Sequence, residues 1–268
     1  MALFGRHVIL RIGPDGGTGR EFEGFRIVFD VKMSRESSPN EAVIECYNLA
    51  AASVALAQEP TAVVEVLVGY DVPRLIFRGT PVKNGVRLDR RGPDRVLRIE
   101  AQDGGRTYAE GRIAVSFSTQ STITQVFDAI SAQLGIPIGT VRLPEGVVFP
   151  RSLSLNGPAR DVLDRLAEAT ASQWFIRDGA LQFIEAGGDT GEQAVVFSAS
   201  AGNLIGSPTP TDEGIEVRAL LAPSLRPGKV FEVQSADYSG QYVAGDVQFR
   251  GDSGWDQPFY VIANGTAR

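Results

Sequence analysis

The sequence holds little of what reactive sites are built from. Among 268 residues there are one cysteine, one histidine, two methionines and two tryptophans. A single cysteine excludes an intramolecular disulfide. Cys46 alternates with Ala42 and Ile44 in EAVIECY, which predicts a small buried strand residue rather than a nucleophile. A single histidine excludes a histidine-rich metal centre. A Ser–His–acid triad would have to use His7, on the first apolar run, and no Gly-x-Ser-x-Gly elbow precedes a helix pattern. His7 is therefore expected to be a partly exposed strand residue. No apolar run approaches the length of a bilayer span, and the start MALFGRHVILRIG carries no cleavage-site pattern and reads as a first strand. These readings predict a protein made in a reducing cytoplasm, without membrane insertion. Positive charge is also scarce: 26 basic residues face 32 acidic ones. The deficit is concentrated in residues 188–268, with 5 basic and 10 acidic groups, against 21 and 22 in residues 1–187. Such a surface is a poor partner for phosphates, which need cations, yet it does not stop nucleic acid from passing.

What the sequence does have is turns and alternation. Glycine (30) and proline (15) punctuate many short segments. In FRIVFDVK, Phe25, Ile27, Phe29 and Val31 face one way and Arg26, Val28, Asp30 and Lys32 the other, the pattern of a half-buried strand. TAVVEVLVG and RLIFRGT follow, separated by Asp71, Val72 and Pro73. VKNGVRLDR and RVLRIEAQD are joined through Arg91, Gly92, Pro93 and Asp94 as a hairpin. The period changes near Gly111. Ile123, Val126, Phe127, Ile130 and Leu134 lie at helical spacing, with Thr122 and Gln125 in capping-box form and Gly135 as the stop. A second helix is predicted over 158–172, with Val162, Leu163, Leu166 and Ala169 on one face. Asp178 and Gly179 then set the tight turn of a hairpin in QWFIRDGALQFIEA. Strands resume at 195–197, 214–221, 229–234, 242–250 and 257–262.

Candidate chemistry is sparse. The glycine-rich run from Gly13 to Gly19 lacks the Lys-Ser/Thr of a phosphate loop and reads as a hairpin loop. Asp252 and Asp256 bracket Trp255, which would suit a glycan hydrolase, though Asp-x-x-x-Asp in a turn is ordinary surface chemistry. Asp161 and Asp164, near a helix start, favour the helix dipole. Arg87, Arg90, Arg91, Arg95 and Arg98 cluster on the hairpin without interleaved aromatics, which predicts a solvated face or a protein contact. Trp174 and Phe175 read as hairpin core rather than a ligand platform. The expectation is no catalytic residue, no cofactor and no metal site.

Five segments taken in order resemble the hub proteins of phage tail baseplates, of contractile phages, tailocins and phage-like injection systems. They are GFRIVFDVKMSRESSPNEAVIECYNL, LIFRGTPVKN, STITQVFDAISAQLGIPIG, NGPARDVLDRLAEATASQWFIRDGALQF, and GKVFEVQS with GQYVAGDVQFRGDSGWD. The resemblance implies a β-rich α+β fold: two tube-like β-barrel or sandwich domains, 1–110 and 188–268, around a small α+β insert, 111–187. It also implies a homotrimer that adapts a sixfold tail tube to a threefold spike and forms part of the DNA-ejection channel. The implied partners are tail tube or distal tube protein, central spike protein and tape measure protein, with DNA only in transit. The implied location is the virion tail baseplate, after assembly in the host cytoplasm. The competing expectations are glycan hydrolysis through Asp252 and Asp256, and peptidoglycan binding through the insert.

Overall fold

The computed structural model describes residues 5–15, 17, 19–118, 120–147, 149, 152–254 and 257–268. The first β lobe contains β1 (His7–Pro14), β2 (Arg20–Phe22), β3 (Ile27–Met33), β4 (Asn40–Tyr47), helix α1 (Ala51–Gln58), β5 (Ala62–Gly69), β6 (Arg74–Arg91) and β7 (Asp94–Asp103). The middle of the chain follows as α2 (Gly105–Glu110), β8 (Arg112–Phe117), α3 (Ile123–Leu134), β9 (Ile138–Arg142), β10 (Leu153–Pro158), α4 (Ala159–Ala169), β11 (Ser172–Arg177) and β12 (Ala180–Glu185). The second β lobe is β13 (Val195–Ser198), β14 (Thr209–Thr211), β15 (Gly214–Leu220), β16 (Val230–Gln234), β17 (Ser239–Asp252) and β18 (Phe259–Ala267).

From Ile27 on, the alternation read in the sequence is the alternation of burial, but Phe25, expected on the same side, precedes β3 and is 39% exposed. Ile27, Phe29, Val31 and Met33 of β3 are buried, and Val28, Asp30 and Lys32 face outward. Cys46 is fully buried on β4, and burial pushes its thiol up to about 12, so it stays a protonated, inert core residue. One expectation needs correction. RLIFRGT and VKNGVRLDR are not two strands but the single bent β6. Its first part pairs with β5 (Val64 opposite Gly79) and its last part with β7 (Val86 opposite Ile99, Arg91 opposite Asp94). The register slips between Pro81 and Val86, where Asn84 has φ +61° and a Cβ on Gly85 would lie 2.6 Å from the Glu100 carbonyl oxygen. A bulge of this kind lets one strand pass from one sheet layer to the next.

The second lobe repeats the device. β17 begins against β16, pairs along β18, slips register between Ala244 and Val247, and continues beyond the slip. Each lobe thus has a hairpin, β6–β7 or β17–β18, whose bent first strand also pairs with a back-layer strand, β5 or β16. Seen along the sheet, β14-β15-β18-β17 and β3-β4-β7-β6 are equivalent quartets. The sequence shows no residue-level repeat, because the pairing geometry constrains only the polarity alternation and the bulge.

The quartets are fused. After its slip, β17 pairs antiparallel with β3, from Val247 opposite Met33 to Asp252 opposite Val28. Both lobes therefore share a 13-stranded sheet and one core, with Phe29, Phe77, Phe197, Phe231 and Phe249 fully buried in it. The seam is close-packed: a Cβ on Gly251 would collide with the Phe29 ring and lie 2.9 Å from Phe259.

Residues 113–183 enclose a separate core. α3 has the expected capping box between Thr122 and Gln125, and Gly135 ends it in the left-handed region at φ +67°. α4 is shorter than predicted, because Pro158 caps it from outside and Thr170 ends it. Arg177 opposite Ala180 closes the β11–β12 hairpin, with Asp178 and Gly179 at positive φ as expected. The sequence reading did not foresee α1, α2 or the pairing of β8 with β10 across intervening α3 and β9.

Candidate functional site

The eight strands β14-β15-β18-β17-β3-β4-β7-β6 present one continuous face on the side away from the core, largely polar with Val28, Val43 and Ile262 among the charges. It is grooved, with a cavity of about 670 Å³ over the seam lined by Asp30, Glu45, Arg98, Arg250, Asp252 and Tyr260 among others. A second hollow of about 520 Å³ adjoins it, between Lys32, Glu41, Glu216 and Asp246. The face is charged but internally paired. Arg250 holds Asp30 at 3.2 Å across the seam, and Gln248 donates to the same carboxylate at 2.6 Å. Arg26 reaches Asp252 at 2.9 Å and lies over the Tyr47 ring, 4.8 Å from its centre. Glu45 accepts a two-pronged contact from Arg91, at 2.5 and 2.7 Å, and another from Arg98 at 3.2 Å. Burial alone would raise the Glu45 carboxyl, but the bonds and charges of Arg91 and Arg98 outweigh it and hold the group below the usual carboxylate range. Arg98 also binds Glu100, and Arg218 stacks on Tyr260 at 3.8 Å. A guanidinium held by a carboxylate has little left to offer a phosphate.

The pairing is incomplete. Lys32 on β3, Asp246 on β17, Arg87 on β6 and Glu216 on β15 are exposed and form no ion pair among the described residues, nor do Arg90, on the other side of β6, and Asp212 and Glu213 at the β14–β15 turn.

A second cluster joins the middle segment to both lobes. Asn40 is buried and donates to the Ile176 carbonyl at 2.8 Å and to Asp103 at 3.5 Å. Asp103, 1% exposed, accepts from the Gly179 amide at 3.1 Å. Arg226, between β15 and β16, donates to Asp178, to the carbonyls of Pro223 and Leu225, and to the Leu75 carbonyl on β6. The Asn in the SSPN stretch is thus a staple for the β11–β12 turn. Asn48, in YNL, is another: at φ +60° it accepts from the Arg95 amide and donates to Asp94, fixing the β6–β7 turn.

Burial, and then the nearby Asp178 charge, push the Asp103 carboxyl up to about 7, against 3.8 when unfolded. The folded chain therefore holds a proton that the unfolded chain has released between these values, so stability falls as pH rises through them. Asp103→Asn is expected to flatten the dependence of the urea midpoint on pH between about 4 and 7 and to raise that midpoint at pH 8. A variant curve parallel to the wild type would contradict this assignment.

The other sequence candidates resolve as follows. His7 lies on β1 beside Glu23 at 3.1 Å, away from any nucleophile–acid arrangement. The run from Gly13 to Gly19 joins β1 to β2, with Gly16 and Thr18 outside the described residues. Trp255 and Asp256 also lie outside them, and Asp252 is buried and committed to Arg26 and the Gly254 amide. Asp161 sits in the first turn of α4, but Asp164 is corrected: it accepts from the Trp174 indole at 2.7 Å. Trp174 is buried and stacked on Tyr108, and Phe175 is buried on the other side of β11. Of the arginine cluster, Arg91 and Arg98 belong to the paired face, while Arg87 and Arg90 remain at its edge. Among the described residues, no group of three or more His, Cys, Asp or Glu could hold a metal ion, and no helix is long and apolar enough to cross a membrane.

The chain is a β-rich scaffold of two lobes fused through one sheet, with a grooved, charged face on its outer side. Solved tail proteins share this fold. The 43 kDa tail protein of prophage MuSo2 from Shewanella oneidensis matches at 12% identity with a TM-score of 0.63, covering 98% of each chain. The tail protein from Neisseria meningitidis MC58 matches at 11% identity and 0.65, covering 98% of this chain and 97% of that one. An E. coli component of the type VI secretion system, described as structurally similar to bacteriophage T4 tail proteins gp27 and gp5, matches at 12% and 0.61, covering 91% and 73%. No curated protein sequence matches. Residues 24–265 match the family described as baseplate hub gp41, and the chain belongs to that family. It is thereby a structural component of a phage tail baseplate.

Proposed function

We propose that the chain is a homotrimeric hub, adapting a sixfold tail tube to a threefold spike, whose polar sheet face lines the channel through which DNA leaves. The observation that supports this most is the β17–β3 seam, which makes one subunit present two equivalent four-stranded quartets side by side. Three copies give six quartets. At strand spacings near 4.8 Å and ordinary tilt, such a ring is roughly 35–50 Å across at the backbone, wide enough for a duplex. A wall on which Arg26, Arg91, Arg98 and Arg250 are held by its own carboxylates suits transit without adhesion, and Glu216, Asp246 and Asp252 are what the acidic last segment gives to it. Residues 1–110 and 188–268 would be the tube-like units and 111–187 a peripheral insert that meets other baseplate components. Tube or distal tube protein, spike and tape measure protein would then stack along the axis. The chain itself would run no turnover chemistry.

Native mass measurement is the test. The expected mass is three times the 28.7 kDa chain, alone or in the presence of tube and spike proteins. A monomer under all these conditions contradicts the reading.

A further inference from the structure

Two glycine-bearing crossings tie the middle segment to the lobes. The outgoing one leaves Asp103 through Gly104, at φ +70°, and Gly105; the returning one leaves Ala186 through Gly187, at φ +75°, and Gly188. Such backbone turns with little steric resistance. Between the crossings the segment docks by its β11–β12 turn. The apolar part of this joint is small: Phe175 and Ile184 belong to neither core and pack toward Gly228, where a Cβ would lie 3.4 Å from Ile184 and 3.6 Å from Phe175. A cavity of about 640 Å³ runs along the joint, with Leu75, Arg78, Asp103, Ile136 and Asp178 among its walls. At the turn two carboxyls meet. Asp103, almost fully buried, accepts from the Gly179 amide and lies close enough to Asp178 to feel its charge. Asp178 gives Oδ2 to Arg226 at 3.2 Å, and its Oδ1 is buried with no hydrogen-bond partner. The cations around the pair are engaged elsewhere. Arg226 also serves three carbonyls, Arg177 on β11 and Lys229 hold Glu192, and Arg78 on β6 holds Glu65 and Asp15. The Tyr108 hydroxyl on α2 accepts from the Ile176 amide, and Asn40 on β4 gives Asp103 only a long contact of 3.5 Å. Among the described residues no cation donates to Asp103.

We propose that Asp103 and Asp178 are a proton-dependent latch: while the pair holds one proton the middle segment stays docked on both lobes, and when both carboxyls ionise it swings about Gly104 and Gly187 and opens the cavity. The latch works within a single chain, whatever its assembly state. A proton on the pair removes a like-charge contact shielded from water and adds a donor near the unpaired Asp178 oxygen. Its loss leaves two carboxylates with one shared guanidinium. Burial and the Asp178 charge put the Asp103 titration at about 7 in the docked state, against an ordinary 3.8. The docked state therefore binds the proton more tightly, so docking is strongest at low pH and weakens as pH rises from about 4 to about 7. The segment carries its own core, so it moves as a unit.

Paired dyes test it in the full chain. Cys46 is buried and inert, so Val72→Cys on the first lobe and Asp128→Cys on α3, both exposed, take a donor and an acceptor selectively. Single-molecule energy transfer is expected to show one population at about pH 5 and a second, open one that grows at least about tenfold by about pH 8. In the same labelled chain Asp103→Asn, which cannot ionise, is expected to keep the closed population throughout. Hydrogen exchange at Gly179 in unlabelled wild type, corrected for the intrinsic rate, is expected to follow the same profile. It needs no substitution, so it decides even where Asp103→Asn fails to fold. Unchanged Gly179 protection with a single population from about pH 5 to about 8 overturns the latch. An open population that grows equally in Asp103→Asn overturns it too, because the titrating group then lies elsewhere.

Discussion

Replacing Arg226 with leucine is expected to lower the unfolding free energy by about 3–5 kcal/mol, the scale for removing one partner of a buried ionic contact. The reason is the number of groups it satisfies. Its guanidinium serves Asp178 on the middle hairpin, the carbonyls of Pro223 and Leu225, and the Leu75 carbonyl on β6. Its plane also lies 5.7 Å from the centre of the Phe249 ring. Leucine takes the donor away from all of these part-buried or buried acceptors, at a desolvation cost that grows with burial. Lysine should rescue little, because a point charge does not reproduce a planar fork. Urea unfolding of the wild type, Arg226→Leu, Asp178→Asn and the double variant measures the coupling. Additive losses would show that Arg226 acts through packing and backbone contacts and not through the ion pair.

Phe29→Ala is expected to cost a similar amount, about 3–5 kcal/mol, by opening a cavity at the seam. Phe29 is buried on β3, meets Phe259 edge to face at 6.0 Å between ring centres, and packs where Gly251 has no side chain. The structure has almost no freedom to close this gap, since β3 is pinned on both sides by β17 and β4. Thermal or urea unfolding reads the loss. Because the seam holds the two quartets in one curvature, the variant should also assemble less well than an equally destabilised variant of the middle segment, such as Phe127→Ala. Equal assembly at equal stability would detach the seam from ring formation.

Much of this fold was legible where the information is local. Alternation marked β3, β4 and β5. The Thr122–Gln125 box and Gly135 bounded α3, and Asp178 with Gly179 fixed a hairpin turn. Where two segments cooperate across the chain, the sequence was silent. Asp30 and Arg250 sit 220 positions apart, and nothing in FRIVFDVK says that VQFRGD will lie beside it. The bend in β6 was read as a break between RLIFRGT and VKNGVRLDR, at Pro81, a residue that ends strands as readily as it sits beside a bulge. α1 escaped because AASVALAQ has no amphipathic stripe to betray its period. Arg226 and Asp103 carry no local signal; only tertiary contacts make them a buried staple.

The most direct test of the central claim is a cryo-electron microscopy reconstruction of the assembled protein, alone or with its tube and spike. The account predicts a threefold ring with the Asp30, Glu45 and Arg250 face turned to a central pore. A ring with that face turned outward, or an assembly in which the two quartets do not share one wall, would contradict it.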